Sequence, residues 1–211
     1  MSATRTSVLT AALSTAAALA ALGTTAPSAA HAQSAQRFSV QASGLAVGTR
    51  GEAYEGMKAG PGFELQVRYT PSVWSFGVGA QSSTHSLDDT ALGGEEVTLA
   101  GAFFEPRRVF DVGATSYAPY ASARLAFLRQ SIDLEVEGTP VSASASGAQV
   151  NLGGGVLFRV SPRVNIDLGA TFGVINFGDA KVTVPGFGSV NAGSAGSGQN
   201  VVMRAGVAVG F

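Results

Sequence analysis

Few residues of this chain are equipped for chemistry. His85 is the one histidine beyond position 32. It lies in Ser82-Ser83-Thr84-His85-Ser86 with Asp88 three positions on, so a hydroxyl, an imidazole and a carboxylate share one short segment, as general-base catalysis requires. Asp88, Asp89, Glu95 and Glu96 form an acidic patch, and carboxylate oxygens suit hard divalent cations. A third group, Glu64, Arg68, Glu105, Arg107, Arg124, Arg159, Asp167 and Arg204, is dispersed through otherwise apolar or small-residue stretches. Each group also has a plainer reading: His85 as a loop-tip residue, the acidic patch as a solvated loop, and the dispersed charges as pairs that satisfy one another in a closed interior. The elements that carry them decide.

Composition narrows those elements. Of 211 residues, 45% are hydrophobic, 13% are charged, 28 are Gly and none is Cys. A chain without Cys has no disulfide framework, thiolate metal site or thiol nucleophile. Thirteen basic residues against fourteen acidic ones give no basic excess for nucleic acid. A positive mean hydropathy of +0.25 argues against disorder, and the Gly content argues against a helical bundle. No EF-hand, P-loop or dinucleotide-binding glycine pattern occurs, so no metal site, cofactor or catalytic residue is assigned.

Residues 1–32 read as a cleaved secretory signal peptide: Arg5, an apolar stretch over 8–22, Pro27, and small residues at Ala30 and Ala32 flanking His31. The mature domain is expected to span 33–211, starting at Gln33. Nothing after that point approaches the ~18 consecutive apolar residues of a membrane helix. The mature chain is nonetheless strongly apolar along narrow stripes.

Those stripes have period two. Val164, Ile166, Leu168, Ala170, Phe172 and Val174 alternate with Asn165, Asp167, Gly169, Thr171 and Gly173; Val201, Met203, Ala205, Val207, Val209 and Phe211 alternate with Val202, Arg204, Gly206, Ala208 and Gly210. Residues 149–160 and 63–69 repeat the pattern, and 38–43, 74–81, 97–110 and 119–128 carry weaker versions. A phase slip is expected near Gly44, and the phase of 97–110 is ambiguous because Phe103 and Phe104 oppose each other. Successive strand side chains point to opposite faces, so this is a set of eight strands with one greasy face and one polar or small face.

The connections alternate in length. Tight turns at Thr70, Pro71 and Ser72 and at Ser161, Pro162 and Arg163, with the link over 111–118, alternate with long connections over 49–61, 84–94, 135–144 and 179–199. The last is rich in Gly, Ser and Ala and is expected to be mobile. This places the short turns and both termini on one rim. The chain therefore reads as all-β, an eight-stranded antiparallel up-and-down transmembrane β-barrel. Its apolar face turns to lipid, and the eight dispersed charges form a network in a lumen too narrow for bulk water. Phe38, Tyr69, Trp74, Phe110, Phe158 and Phe211, with Tyr117 nearby, fall near the short-turn rim as an interfacial aromatic band.

With its leader, its eight stripes and Phe211 preceded by Val209, Val207 and Ala205, the chain resembles the small outer-membrane β-barrels of the OmpA/OmpX and opacity-like, porin-family type. Glu105-Pro106-Arg107 and Pro119-Tyr120 with the following Ala-Arg-Leu resemble sequences of those barrels. The resemblance implies the outer membrane of a diderm bacterium, with both termini periplasmic and contact with outer-membrane lipid and lipopolysaccharide. It also implies that the barrel assembly machinery recognises the C-terminal signal Val207, Val209 and Phe211. A structural or surface-interaction role through the long loops is expected. A narrow porin-like channel is the alternative, and a lipid-modifying enzyme centred on His85 is a third; for a deacylase-like His-x-Ser pattern, Leu87 stands where Ser is required.

Overall fold

In a computed structural model, residues 36–87, 96–136, 139–186 and 188–211 are described. The leader, the start at Gln33, and Asp88, Asp89 and Glu95 lie outside them. Ten strands follow in order: β1 Phe38–Arg50, β2 Gly60–Tyr69, β3 Trp74–Ser86, β4 Glu96–Val109, β5 Tyr117–Val136, β6 Thr139–Arg159, β7 Val164–Phe177, β8 Asp179–Val184, β9 Gly188–Ser194 and β10 Ser197–Gly210. Eight of them, β1–β7 and β10, form the barrel. Each pairs antiparallel with its neighbours, β5 pairs β6, and β1 closes on β10 with Ser39 opposite Gly210 and Arg50 opposite Gln199. Closure leaves no barrel strand with an unpaired edge, the condition for a sheet in an environment without backbone partners.

The alternation sorts the side chains. Leu65, Val67, Val78, Leu125, Phe127, Ile166, Leu168, Phe172, Met203 and Val207 are exposed on the outside, while Gln41, Glu64, Gln66, Arg68, Glu105, Arg107, Arg124 and Asp167 are buried. Phe127 is 72% exposed and Asp167 0%. A water-soluble fold reverses that ordering, because so broad an exposed apolar belt needs an apolar medium or a partner to cover it. No helix among the described residues is long and apolar enough to cross a membrane; the strands supply the apolar surface.

Four local expectations are corrected or settled. Gly44 causes no phase slip: β1 keeps continuous register with both neighbours, and Leu45 and Val47 turn inward. The polarity of the lumen changes there, from polar to apolar, while the backbone geometry does not. Phe103 is the inward member of its pair and Phe104 the outward one. The ladder of β5 and β6 runs past the expected 135–144 connection to Val136 opposite Thr139, making one long hairpin. The 179–199 connection is also structured, since β8 and β9 pair with each other and β8 pairs with Ser142, Ala143 and Ser144 of β6. Gly, Ser and Ala hid a hairpin that pairs through its backbone.

The aromatic residues near the short-turn rim sit at the outer surface. Phe38 lies 4.9 Å from Tyr69 and 6.3 Å from Phe211, ring centre to ring centre. Phe110, Tyr117 and Phe158 are exposed and Trp74 is half-buried.

Candidate functional site

Inward positions stack in layers along the axis. Ser39, Gln41, Thr70, Ser75 and Asn165 line a vestibule at the short-turn end. Above them lies an ionic layer, then an amide layer, then an apolar cap. Seven of the eight sequence-derived lumen charges meet in the ionic layer, although they come from several strands.

Glu105 on β4 is its hub. Its Oε1 accepts from Arg107 Nε and from Arg68 Nη1 at 3.4 Å, and its Oε2 from Arg124 Nε at 2.7 Å and Arg204 Nη1 at 3.0 Å. Asp167 on β7 is the second anchor: Oδ2 accepts from Gln41 Nε2 at 2.7 Å and Arg107 Nη1 at 2.8 Å, while Oδ1 accepts from the Tyr120 hydroxyl at 2.6 Å. Glu64 pairs with Arg124 at 2.8 Å and Arg204 at 3.3 Å. Arg124 also lies over the Phe103 ring at 3.9 Å, and Arg107 over Tyr120 at 4.5 Å. All seven charges are nearly inaccessible, and charges so placed are tolerated only when paired and hydrogen-bonded.

Arg159 stands apart. It faces inward on β6 near the short-turn rim, half-buried, and makes no ion pair among the described residues; its Nε has no hydrogen-bond partner there. The strand phase that placed it inside also placed it two residues beyond Leu157, which lies opposite Asp167, and so below the ionic layer.

Several partners are invisible to a reading of charge alone. Tyr120, Gln41, Gln66 and Gln81 complete the ionic layer: Arg68 Nη1 donates to Gln66 at 2.8 Å and Arg124 Nη1 to Gln81 at 2.8 Å. Each shares the inward phase of a charge on its own or the adjacent strand, which is the signal that identifies them. The amide layer above, Gln149, Asn151 and Asn200, is interlinked, with Asn151 Nδ2 donating to Asn200 Oδ1 at 2.7 Å and to Thr171 Oγ1 at 3.4 Å, and Asn200 Nδ2 to Gln149 Oε1 at 2.9 Å.

The cap comes from an unexpected element. A short 3-10 turn, Glu52–Tyr54, in the β1–β2 connection buries Ala53 and Tyr54 against Leu99, Phe103, Leu128, Ile175 and Phe177. The Tyr54 ring meets Phe177 edge-on at 6.0 Å, and burial pushes its phenol up to about 12 against a smaller opposing pull from the Asn200 side chain. The connection thus folds into the mouth of the barrel.

His85 belongs to this interior, which corrects its reading as a loop-tip residue. It shares the inward phase of β3 with Ser83, is fully buried, and lies under the β1–β2 connection. Its Nδ1 lies 2.9 Å from the Lys58 carbonyl, which can only accept, so Nδ1 carries the proton and Nε2 accepts from the Ser83 hydroxyl at 3.0 Å. Of the acidic patch, Glu96 opens β4 and is exposed. No cluster of three or more metal-ligating side chains exists among the described residues. Val207, Val209 and Phe211 are exposed on the outer face of β10 and just beyond it.

No protein-family model and no curated protein matches the chain. Solved structures do. Neisserial surface protein A (NspA) superposes with a TM-score of 0.56 at 21% identity, covering 82% of this chain and 97% of that one. A major outer membrane protein from Thermus thermophilus gives 0.55 at 16% identity, covering 84% of this chain and all (100%) of that one. At these identities the likeness concerns architecture. Closed on itself, greasy outside and ionic within, the chain has the fold of the small eight-stranded outer-membrane β-barrels.

Proposed function

We propose that this protein is an integral barrel of the outer membrane of a diderm bacterium that acts through its long connections, in envelope structure or surface interaction, and does not conduct through its lumen. The carrying observation is the filled interior: the Glu105 ion-pair hub, the Asn151 amide layer and the Tyr54 cap succeed one another along the axis. A narrow channel would have to break several buried ion pairs at once, and removing one partner of such a pair costs roughly 3–5 kcal/mol.

On this reading the short-turn rim and both termini are periplasmic. Outer-membrane lipid and lipopolysaccharide cover the belt from Phe38 to Phe127, and the outward Val207, Val209 and Phe211 form the signal taken by the barrel assembly machinery. The long β5–β6 hairpin supports the surface role. Beyond Phe127 its outward residues turn polar, with Arg129 exposed, and Leu128 to Val136 at ~3.3 Å per residue reach roughly 25–30 Å past the apolar belt.

Planar-bilayer recording tests the reading. The refolded barrel is expected to be electrically silent across physiological potentials, and steady unitary steps that persist after repurification would overturn it in favour of a channel. An unchanged lipid A profile on expressing His85→Ala is expected too, because His85 is fully buried.

A further inference from the structure

The outer face of the barrel is hollowed where the apolar belt ends on the long-connection side. Across β4, β5 and β6 the small residues Ala100, Gly101, Gly147 and Ala148 leave a shallow open groove of about 440 Å³ beside Phe127. Register aligns its walls: Ala102, Phe127, Ala148 and Asn176 form one row across four strands, and Ala100, Arg129 and Ser146 form the next. Phe127 is the last apolar outward residue of β5 and Arg129 is the first charged one. The groove therefore begins in the belt and ends where lipid meets water.

Two cations stand over that end. Arg129 Nη2 donates to Ser144 Oγ at 3.0 Å, and Ser144 pairs directly with Lys181 of β8. A slip of register puts Lys181 there: Gly147 lies opposite Phe177, yet Ser144 lies opposite Lys181 and not Ala180. Such a bulge re-aims side chains. Here Ala180 packs against the Tyr54 cluster, and Lys181 shares the outer face with its partner Ser144 and with Arg129. Both cations are exposed, and neither forms an ion pair among the described residues, Asp133 and Asp179 included. Arg129 keeps Nε and Nη1 as donors, with the Ser146 hydroxyl and the Asn176 amide in the groove wall below.

An apolar trough that ends under paired cations fits an acyl chain with an anionic head. A guanidinium fork matches phosphate, and a phosphate monoester carries nearly two negative charges, as many as Arg129 and Lys181 carry positive. A phosphodiester carries one. We propose that this groove binds one lipid A molecule, with an acyl chain along Phe127 and Ala148 and a phosphate monoester between Arg129 and Lys181. The site rests on the outer-membrane reading above, which puts the long connections, and so this groove, in the outward leaflet.

Native mass spectrometry of the detergent-folded full barrel tests this, in EDTA so that no divalent cation links lipid to Asp133 or Asp179. One lipid A adduct is expected, held roughly ten- to a hundredfold more tightly than the same lipid stripped of its phosphates, or than phosphatidylglycerol, a phosphodiester. Arg129→Gln combined with Lys181→Gln is expected to erase that preference, while Arg163→Gln, on the opposite rim, keeps it. Ala148→Trp fills the groove without altering a charge and is expected to weaken lipid A binding as well. Equal binding of the three lipids, a preference that survives the double variant, or full affinity in Ala148→Trp would each overturn the site. The wild-type comparison of lipids decides alone if a variant does not fold. A barrel that is silent in planar bilayers yet does not discriminate among these lipids loses this site and keeps the reading on which it rests.

Discussion

The Tyr120 hydroxyl on β5 donates to Asp167 on β7 at 2.6 Å, reaching across the intervening strand β6. It also accepts from Arg204 Nη2 at 2.9 Å. The phenol fits because Gly155 on β6 and Gly169 on β7 lack side chains: a Cβ at either would overlap the Tyr120 oxygen. A tyrosine therefore ties together three strands that alternation alone leaves unconnected.

Gly169→Ala should displace that hydroxyl and lower stability by ~1–3 kcal/mol, the range for overpacking or for leaving a buried polar group unsatisfied. Tyr120→Phe should cost a similar ~1–3 kcal/mol. Because both act on the same hydrogen bonds, the double variant should fall short of additivity. Denaturant unfolding in detergent, followed by Trp74 fluorescence, measures all three; strict additivity would contradict the shared cause.

Leu168 and Asp167 are sequence neighbours with opposite surroundings, one 45% exposed on the belt and the other 0% exposed in the lumen. Leu168→Arg is expected to cost ~2–4 kcal/mol in a lipid bilayer and much less in a detergent micelle, where an arginine snorkels readily. Asp167→Asn leaves Arg107 and Arg204 undercompensated and should cost roughly 3–5 kcal/mol in either medium. Unfolding titrations in both media read the contrast, and a medium-independent loss for Leu168→Arg would remove the lipid-facing assignment.

Tyr54 links the cap to pH. Its phenol ionises near 10 when unfolded and at about 12 when folded. The cap's contribution is therefore complete below pH 10 and is lost as pH climbs through about 12. Its hydroxyl makes no well-formed hydrogen bond among the described residues, so Tyr54→Phe should keep the cap at neutral pH and blunt the alkaline loss. Hydrogen exchange of residues 52–57 against pH, wild type beside variant, checks this. Identical alkaline profiles would show that some other group governs the cap.

The β8–β9 hairpin should be dispensable. Every residue of β9 is exposed, and β8 pairs with the barrel at Ser142, Ala143 and Ser144, while Ala180, which packs against the Tyr54 cluster, lies outside the segment to be removed. Replacing 182–190 by two glycines should leave barrel stability within ~0.5 kcal/mol. Heat-modifiable gel mobility and an unfolding titration report the outcome; a barrel that no longer closes would mean the hairpin guides assembly.

How much was legible beforehand follows from the range of each interaction. Val164, Ile166 and Leu168 face outward while Asn165 and Asp167 face inward because a strand alternates with period two, a local rule that needs no knowledge of neighbours. The chain order of short and long connections gave the two rims in the same way. His85 misled because nearby polar residues suggested a loop, although its phase with Ser83 already pointed inward. The 179–199 segment misled because Gly, Ser and Ala carry little strand propensity, and that hairpin is held by backbone pairing.

Sequence alone thus determined which side of the sheet most strand residues occupy, the run past Gly44 and the Phe103–Phe104 pair excepted, and that the sheet must close, since both follow from period-two alternation and the absence of backbone partners in lipid. Only the tertiary structure decided who meets whom across the lumen: that Glu105 gathers arginines from β2, β4, β5 and β10, that Arg159 falls below the ionic layer, and that Tyr54 stops the far end. Cross-lumen contacts depend on the stagger and tilt with which eight strands close, a property of the whole cylinder that no single strand encodes.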